Sequence, residues 1–123
     1  MAKIIMIIDD SPLSREMNRV NLVKAGYQVI LAEDGLQAIA KLKADNNVDL
    51  IIMDLVFSGL DGISVLSVIR DELGLNNMPV IIFTNSEDEA DKQAAFKLGV
   101  IEYMVKHKVS TDSLVKYIKQ LIH

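Results

Sequence analysis

Cysteine and tryptophan are absent from this chain of 123 residues, and only two residues are histidine. Without cysteine there is no disulfide and no thiolate metal site, a composition compatible with the reducing cytoplasm where we expect the protein to act. Aromatic residues make up only 5%, so Ile, Val, Leu and Met must fill the interior, and the six methionines read as gap fillers. There is no cationic excess: 13 Lys and Arg stand against 17 Asp and Glu, which argues against direct nucleic-acid binding. No apolar run approaches the roughly 18 residues of a membrane span, and the opening run is too short for a signal-peptide core. Membrane insertion is therefore not expected. Linkers, repeats and low-complexity segments are also missing. At 50% hydrophobic the chain can bury a real core, and one soluble domain over residues 1–123 is expected.

What the chain does contain is a series of short apolar runs near residues 3–8, 28–32, 49–53, 80–83 and 101–105. They are rich in Ile and Val and continuous rather than alternating, as strands buried on both faces require. Helical spacing fills the intervals. Leu13, Met17, Val20 and Lys24 predict one helix face; Leu36, Ile39, Ala40 and Leu42 a second; Ile63, Leu66, Ile69 and Leu73 a third. Ala90, Ala94, Ala95 and Leu98 give a weaker fourth, on which Phe96 is expected to pack against the sheet, and Leu114, Ile118, Leu121 and Ile122 give a fifth. Ser11 before Pro12 suits a helix cap, Gly26, Gly74 and Gly99 follow predicted helix ends, and Asp34-Gly35 and Asp61-Gly62 read as turns into helices. Strict alternation of strand and helix predicts an α/β fold, a doubly wound (βα)5 sandwich with a five-stranded parallel sheet and helices on both faces.

Four of the runs end in residues suited to phosphate chemistry: Asp9-Asp10, Asp54, Thr84 and Lys106, with Tyr103 inside the last run. The carboxyl ends of strands in an open parallel sheet share one edge, where ligands bind. Singly, each residue has an ordinary explanation as a cap, a turn or a solvated charge. Together they gather three acids, a hydroxyl and an ammonium. Two carboxylates about 4 Å apart repel by roughly 4 kcal/mol at an effective dielectric near 20. Against a net stability of about 5–15 kcal/mol that repulsion calls for an offset. Lys106 can supply one positive charge and a hard divalent ion the rest; oxygen ligands favour Mg2+ over Zn2+. His107 and His123 lie too close to the C-terminus to form a zinc site alone, and both read as surface residues.

These positions, in order over the full length, resemble a response-regulator receiver domain of two-component signalling, in the single-domain chemotaxis-like form with a flavodoxin-like fold. The spacing from Asp54 to Asp61-Gly62 is similar to that family's as well. The resemblance implies that Asp54 takes a phosphoryl group from a sensor histidine kinase or phosphotransfer protein. It implies Mg2+ held by Asp9, Asp10, Asp54 and the Val56 carbonyl, with Lys106 and Thr84 on the phosphoryl oxygens. Thr84 and Tyr103 would form a switch toward a downstream target protein. The protein would then be no enzyme beyond its own phosphoryl transfer and aspartyl-phosphate hydrolysis. Two alternatives stand beside this reading: a receiver-like interaction module that is not phosphorylated, and, distantly, a small Mg2+-dependent phosphohydrolase. Three positions depart from the family pattern. His107 stands where proline is common, so a trans peptide is expected after Lys106. Asn85 replaces a small residue and narrows the way to the site, and Ser58 replaces a frequent proline. Val56 and Ser86, at positions that tune dephosphorylation, offer no acid or amide to orient water.

Overall fold

In the computed structural model, which describes residues 2–57 and 59–122, the chain alternates strand and helix throughout. Ser58 and His123, two of the positions considered above, lie outside the described residues. The strands are β1 (Ile4–Ile8), β2 (Gln28–Ala32), β3 (Leu50–Met53), β4 (Val80–Thr84) and β5 (Glu102–Val105). The helices are α1 (Pro12–Lys24), α2 (Gly35–Ala44), α3 (Gly62–Ser67), α4 (Glu89–Lys97) and α5 (Thr111–Leu121). A wider π-helical turn, Val68–Glu72, extends α3, and a 3-10 turn, Lys106–Lys108, follows β5. All strand pairings are parallel, in the order β2-β1-β3-β4-β5. The fold is the flavodoxin-like, doubly wound α/β arrangement that the alternation predicts.

Strand side chains divide between two cores according to their twofold alternation. Met6, Ile8, Ile51, Met53, Val80 and Ile82 face Ala38, Leu42, Val65, Leu66, Ile69 and Ala95 of α2, α3 with its extension, and α4. On the other face, Ile5, Ile7, Leu50, Ile52, Ile81 and Phe83 meet Leu22 of α1 and Leu114 and Ile118 of α5. Both faces of the central strands are thus dry, which is why their sequences are continuous in apolar residues.

Helix starts follow the predicted caps. Ser11, Asp34 and Asp61 accept from the backbone N–H groups of Ser14, Gln37 and Ser64 at 3.3, 2.9 and 3.0 Å. Gly62 is required by crowding: a Cβ there would lie 2.4 Å from the Leu55 Cα and 2.9 Å from the Asp54 carbonyl oxygen. The α3 start can therefore press directly beneath the loop that carries Asp54.

The rotational phase of several helices differs from the expected one. In α1 the buried residues are Asn18 and Leu22, whereas Leu13, Met17 and Val20 face outward. The phase is set at the N-terminus, where the Ser14 hydroxyl and the Arg15 guanidinium donate to Asp9, at 2.8 Å in each case. That arrangement turns the Ser14–Asn18–Leu22 row inward. In α2, Leu36 and Ala40 are exposed and Ala38 and Leu42 are buried, because Gly35 must abut Val65. Ala90 of α4 is exposed, and Phe96 is 48% exposed instead of packing on the sheet.

Arg70, unremarked in the sequence, is 5% exposed and works as a staple. Its guanidinium donates to the carbonyls of Leu98 (2.8 Å), Leu75 (2.7 Å), Met78 (2.7 Å) and Gly99 (3.2 Å). Burial lowers its pKa, yet the fork of donors satisfies four carbonyls that close the loops before β4 and β5. We expect Arg70→Met to destabilise the fold by about 2–4 kcal/mol, because buried carbonyls lose their donors. Arg70→Lys should restore only part of this, since an ammonium lacks the planar fork. Denaturant unfolding of the three proteins checks both expectations.

Candidate functional site

The register of the central strands brings the acids together. Ile8 of β1 lies beside Met53 of β3, so the next residue on each strand is an aspartate. The Asp54 N–H donates to the Ile8 carbonyl at 2.9 Å, and the Asp9 N–H to the Ala32 carbonyl at 3.1 Å. Both residues are buried, at 3% exposure for Asp9 and 7% for Asp54, while Asp10 is exposed beside them. Carboxylate oxygens of Asp9, Asp10 and Asp54 lie within 4.8 Å of one another.

One cation spans the two buried acids. Lys106 Nζ lies 2.7 Å from Asp9 Oδ2 and 2.9 Å from Asp54 Oδ2. It reaches them because Val105 pairs with Thr84 at the ends of β5 and β4, so that the lysine leaves the sheet on the same edge. Burial opposes its charge, but its hydrogen bonds to the Asp9 and Asp54 carboxylates, with their charges, outweigh that effect and raise its pKa above the ordinary lysine value.

The remaining oxygens are held by short local bonds. Asp54 Oδ1 accepts from the N–H groups of Leu55 (2.7 Å) and Val56 (3.1 Å). Asp9 Oδ1 accepts from the Ser11 N–H at 2.9 Å, and its Oδ2 from the Ser14 hydroxyl at 2.8 Å. Ser14 and Arg15 thus orient Asp9, roles the sequence signalled only through their place one turn beyond the acid pair. Asp10 takes no hydrogen bond from the described residues.

A cleft of about 680 Å3 opens over this group, lined in part by Asp10, Asp54, Val56, Thr84, Asn85 and Lys106. Thr84 is fully buried at its wall, and its Oγ accepts from the Ser86 N–H at 3.3 Å. Of the sequence-predicted site residues two do not line the cleft: Asp9, buried against Lys106, and Tyr103. Tyr103 is 7% exposed, and its hydroxyl donates to the Ser86 carbonyl at 2.9 Å. The ring is therefore already packed inward, behind the loop that begins at Thr84. Burial raises the Tyr103 pKa, assisted by the charges of Asp91, Asp54 and Asp88 and opposed by the bond to Ser86. The peptide after Lys106 is trans as expected, and His107 is exposed.

Three carboxylates face one ammonium, and among the described residues the clustered candidate ligands all offer oxygen. This donor set fits a hard divalent cation better than zinc, with Asp10 the acid left without a partner.

Comparison with known proteins adds an independent line. A family profile described as the response regulator receiver domain matches residues 5–119. The chain is 32% identical over 118 residues to Protein PilH of Pseudomonas aeruginosa, covering 96% of each. It is 35% identical over 118 residues to the transcriptional regulatory protein ResD of Bacillus subtilis, covering 96% of this chain and 47% of ResD. The alkaline phosphatase synthesis transcriptional regulatory protein PhoP of the same organism is 34% identical over 106 residues, with 86% of this chain and 43% of PhoP covered. The chain thus spans less than half the length of those two regulators. Among solved structures, the response regulator protein TrrA of Thermotoga maritima in complex with Mg(2+)-BeF is 29% identical with a TM-score of 0.83, over 98% of this chain and 99% of that one.

Two charge substitutions test this reading of the cluster. Asp10→Asn should raise the metal-free melting temperature by relieving like-charge repulsion, and should shrink the increase that Mg2+ produces. Lys106→Met should cost about 3 kcal/mol at neutral pH, because the buried Asp9 and Asp54 lose their counter-ion. The lysine's folded pKa is raised, so its contribution is fully present below the unfolded value of about 10.4 and disappears as pH rises through the folded one. The wild-type advantage over Lys106→Met should therefore narrow only in strongly alkaline buffer, as measured by thermal melts across pH.

Proposed function

The chain belongs to the response regulator receiver family, and on that footing we propose that Asp54 is its phosphoryl acceptor. Phospho-accepting signalling is the family's function; the residue assignments are our reading of this site. The observation that carries them is the Lys106 ammonium shared between Asp9 and Asp54 at 2.7 and 2.9 Å, at the rim of a cleft.

In the proposed step, an Asp54 carboxylate oxygen attacks the phosphorus of a phosphohistidine on a sensor kinase or phosphotransfer protein. The P–O bond forms as the P–N bond breaks, and the departing imidazole takes up a proton. The backbone N–H groups of Leu55 and Val56 hold Oδ1, which fixes the orientation of the carboxylate. Lys106, already at the acceptor, moves its ammonium onto a phosphoryl oxygen. Asp9, Asp10 and Asp54, with the Val56 carbonyl, are the ligands we assign to Mg2+, which when bound neutralises charge on the transferred group. Thr84 turns its hydroxyl from the Ser86 N–H to another phosphoryl oxygen.

That last movement supplies the readout. Ser86 is bonded through its carbonyl to Tyr103 and through its hydroxyl to Asp91 of α4, at 2.9 and 2.8 Å. Drawing Thr84 toward the phosphoryl group shifts this loop, and with it the surface around Tyr103 and the exposed Phe96, which line a second cavity of about 640 Å3. A target protein that reads this face would sense the modification.

Incubation with acetyl phosphate and Mg2+, followed by intact-mass measurement, should show one phosphoryl group on the wild type and on Glu16→Ala. Glu16 is exposed and paired with Arg19 on α1, which makes it a suitable control. Asp54→Ala should show none. Equal uptake by Asp54→Ala would remove the acceptor assignment. No uptake by a folded wild type would favour an interaction module that works without phosphate.

A further inference from the structure

The turn after β5 makes a second set of contacts that the proposed chemistry does not use. His107 Nδ1 lies 3.2 Å from Asn85 Oδ1, and its Nε2 lies 3.2 Å from Glu87 Oε2. Lys108 Nζ reaches the other oxygen of Glu87 at 2.5 Å. One imidazole therefore bridges two residues of the segment between β4 and α4, and its neighbour fastens one of those residues again. Asn85 directly follows Thr84, is exposed, and lines the cleft above the buried Asp54.

Asn85 and Asp54 line the same cleft, so this carboxamide borders the way from solvent to the proposed acceptor. Left to itself, an exposed Asn side chain samples several rotamers and sweeps clear of the cleft for part of the time. The ring of His107 restricts that freedom: whichever nitrogen carries the proton donates to Asn85 Oδ1 or to Glu87 Oε2, and the charged ring donates to both. Lys106 and His107 are adjacent in one 3-10 turn, so the residue that neutralises the site and the residue that holds its rim move together.

We propose that His107 is a positioning residue that holds the Asn85 carboxamide across the mouth of the acceptor cleft and so limits how readily phosphodonors and water reach Asp54. The inference deepens the proposed function and rests on Asp54 as the acceptor. Its contacts are polar and exposed, each of a strength that thermal motion breaks often. The rim is a brake on access, therefore, and not a seal. A protein donor that engages Glu87 or Lys108 while docking would loosen it, whereas a small donor must wait for it to open.

Phosphoryl uptake from acetyl phosphate with Mg2+, followed by intact mass, separates this role from a structural one. His107→Leu and Asn85→Ala should each accelerate uptake by about two- to fivefold, with melting little changed, the range expected for one exposed polar tie. The double variant should be no faster than the faster single variant, because the pair acts as a unit. His107→Gln, whose amide can still donate to Asn85, should return toward the wild-type rate. Wild-type uptake in His107→Leu, or additive gains in the double variant, would overturn the proposal. A second measurement needs no phosphorylation. In the amide NMR spectrum, His107→Leu should move the Asn85 side-chain signals and leave those of Asn21, which is bonded to Met17 within α1, in place. Unmoved Asn85 signals would overturn the tie. Failure of the wild type to take up phosphate would sink the acceptor assignment, and the NMR comparison would still decide whether His107 holds Asn85.

Discussion

Lys106 between Asp9 and Asp54 is the contact on which the upper edge of this molecule depends. Two buried carboxylates this close repel by an amount comparable with a large part of a small domain's stability. The register between β1 and β3 leaves them no way to separate, because both follow directly on paired strands. An ammonium within 3 Å of both offsets the repulsion. With Asp54 as the proposed acceptor, the same ammonium would also meet the transferred phosphoryl group, and charge balance at rest and charge stabilisation during transfer would fall to one side chain. Among the described residues Asp10 remains outside that balance.

The strand order explains why residues so distant in the chain share this edge. Moving outward from β1, the chain goes first to β2 on one side and then to β3, β4 and β5 on the other. The crevice opens where that direction reverses, and the loops after β1 and β3 flank it. Thr84 and Lys106 complete the wall from the next two strands. Close approach of α3 beneath Leu55, permitted only by the missing side chain of Gly62, presses the acceptor loop into place from below.

Much of this was legible from the chain alone, for identifiable reasons. Strands buried on both faces leave continuous Ile and Val runs, and their ends mark the sheet edge, so Asp9, Asp54, Thr84 and Lys106 could be grouped without coordinates. The cap at Ser11 and the turns into helices at Asp34 and Asp61 were visible because short polar side chains satisfy free backbone N–H groups. Helix phase was harder to read. In α1 a row at 13, 17 and 20 is more apolar than the row at 14, 18 and 22, and hydrophobicity alone selects the wrong one. Bonds from Ser14 and Arg15 to Asp9 decide the matter, and these join residues whose partnership no periodicity encodes. Arg70 was invisible for a similar reason, since its partners are carbonyls, which every residue carries. The exposure of Phe96 follows from the phase of α4, a helix with too few large apolar residues to declare its inner face.

The loop after Thr84 shows how a site built for rigidity can still move. Thr84 Oγ accepts from Ser86 at 3.3 Å, at the long end of useful hydrogen bonds, while Ser86 is held to Tyr103 and Asp91 at 2.9 and 2.8 Å. A neutral bond of this kind contributes about 1 kcal/mol or less, whereas a hydroxyl donating to a charged phosphoryl oxygen contributes about 1.5–3 kcal/mol. In the proposed step that exchange would be favourable, and the weak bond would be the one given up. The stronger bonds would stay intact, and the displacement would pass along the backbone through Ser86 to Tyr103 and the start of α4. On the outer side the His107 bridge resists the same displacement from the opposite edge of the cleft. On the proposed reading, access to the acceptor and the response to its modification would be coupled through three consecutive residues, Thr84, Asn85 and Ser86, each held by a different part of the fold.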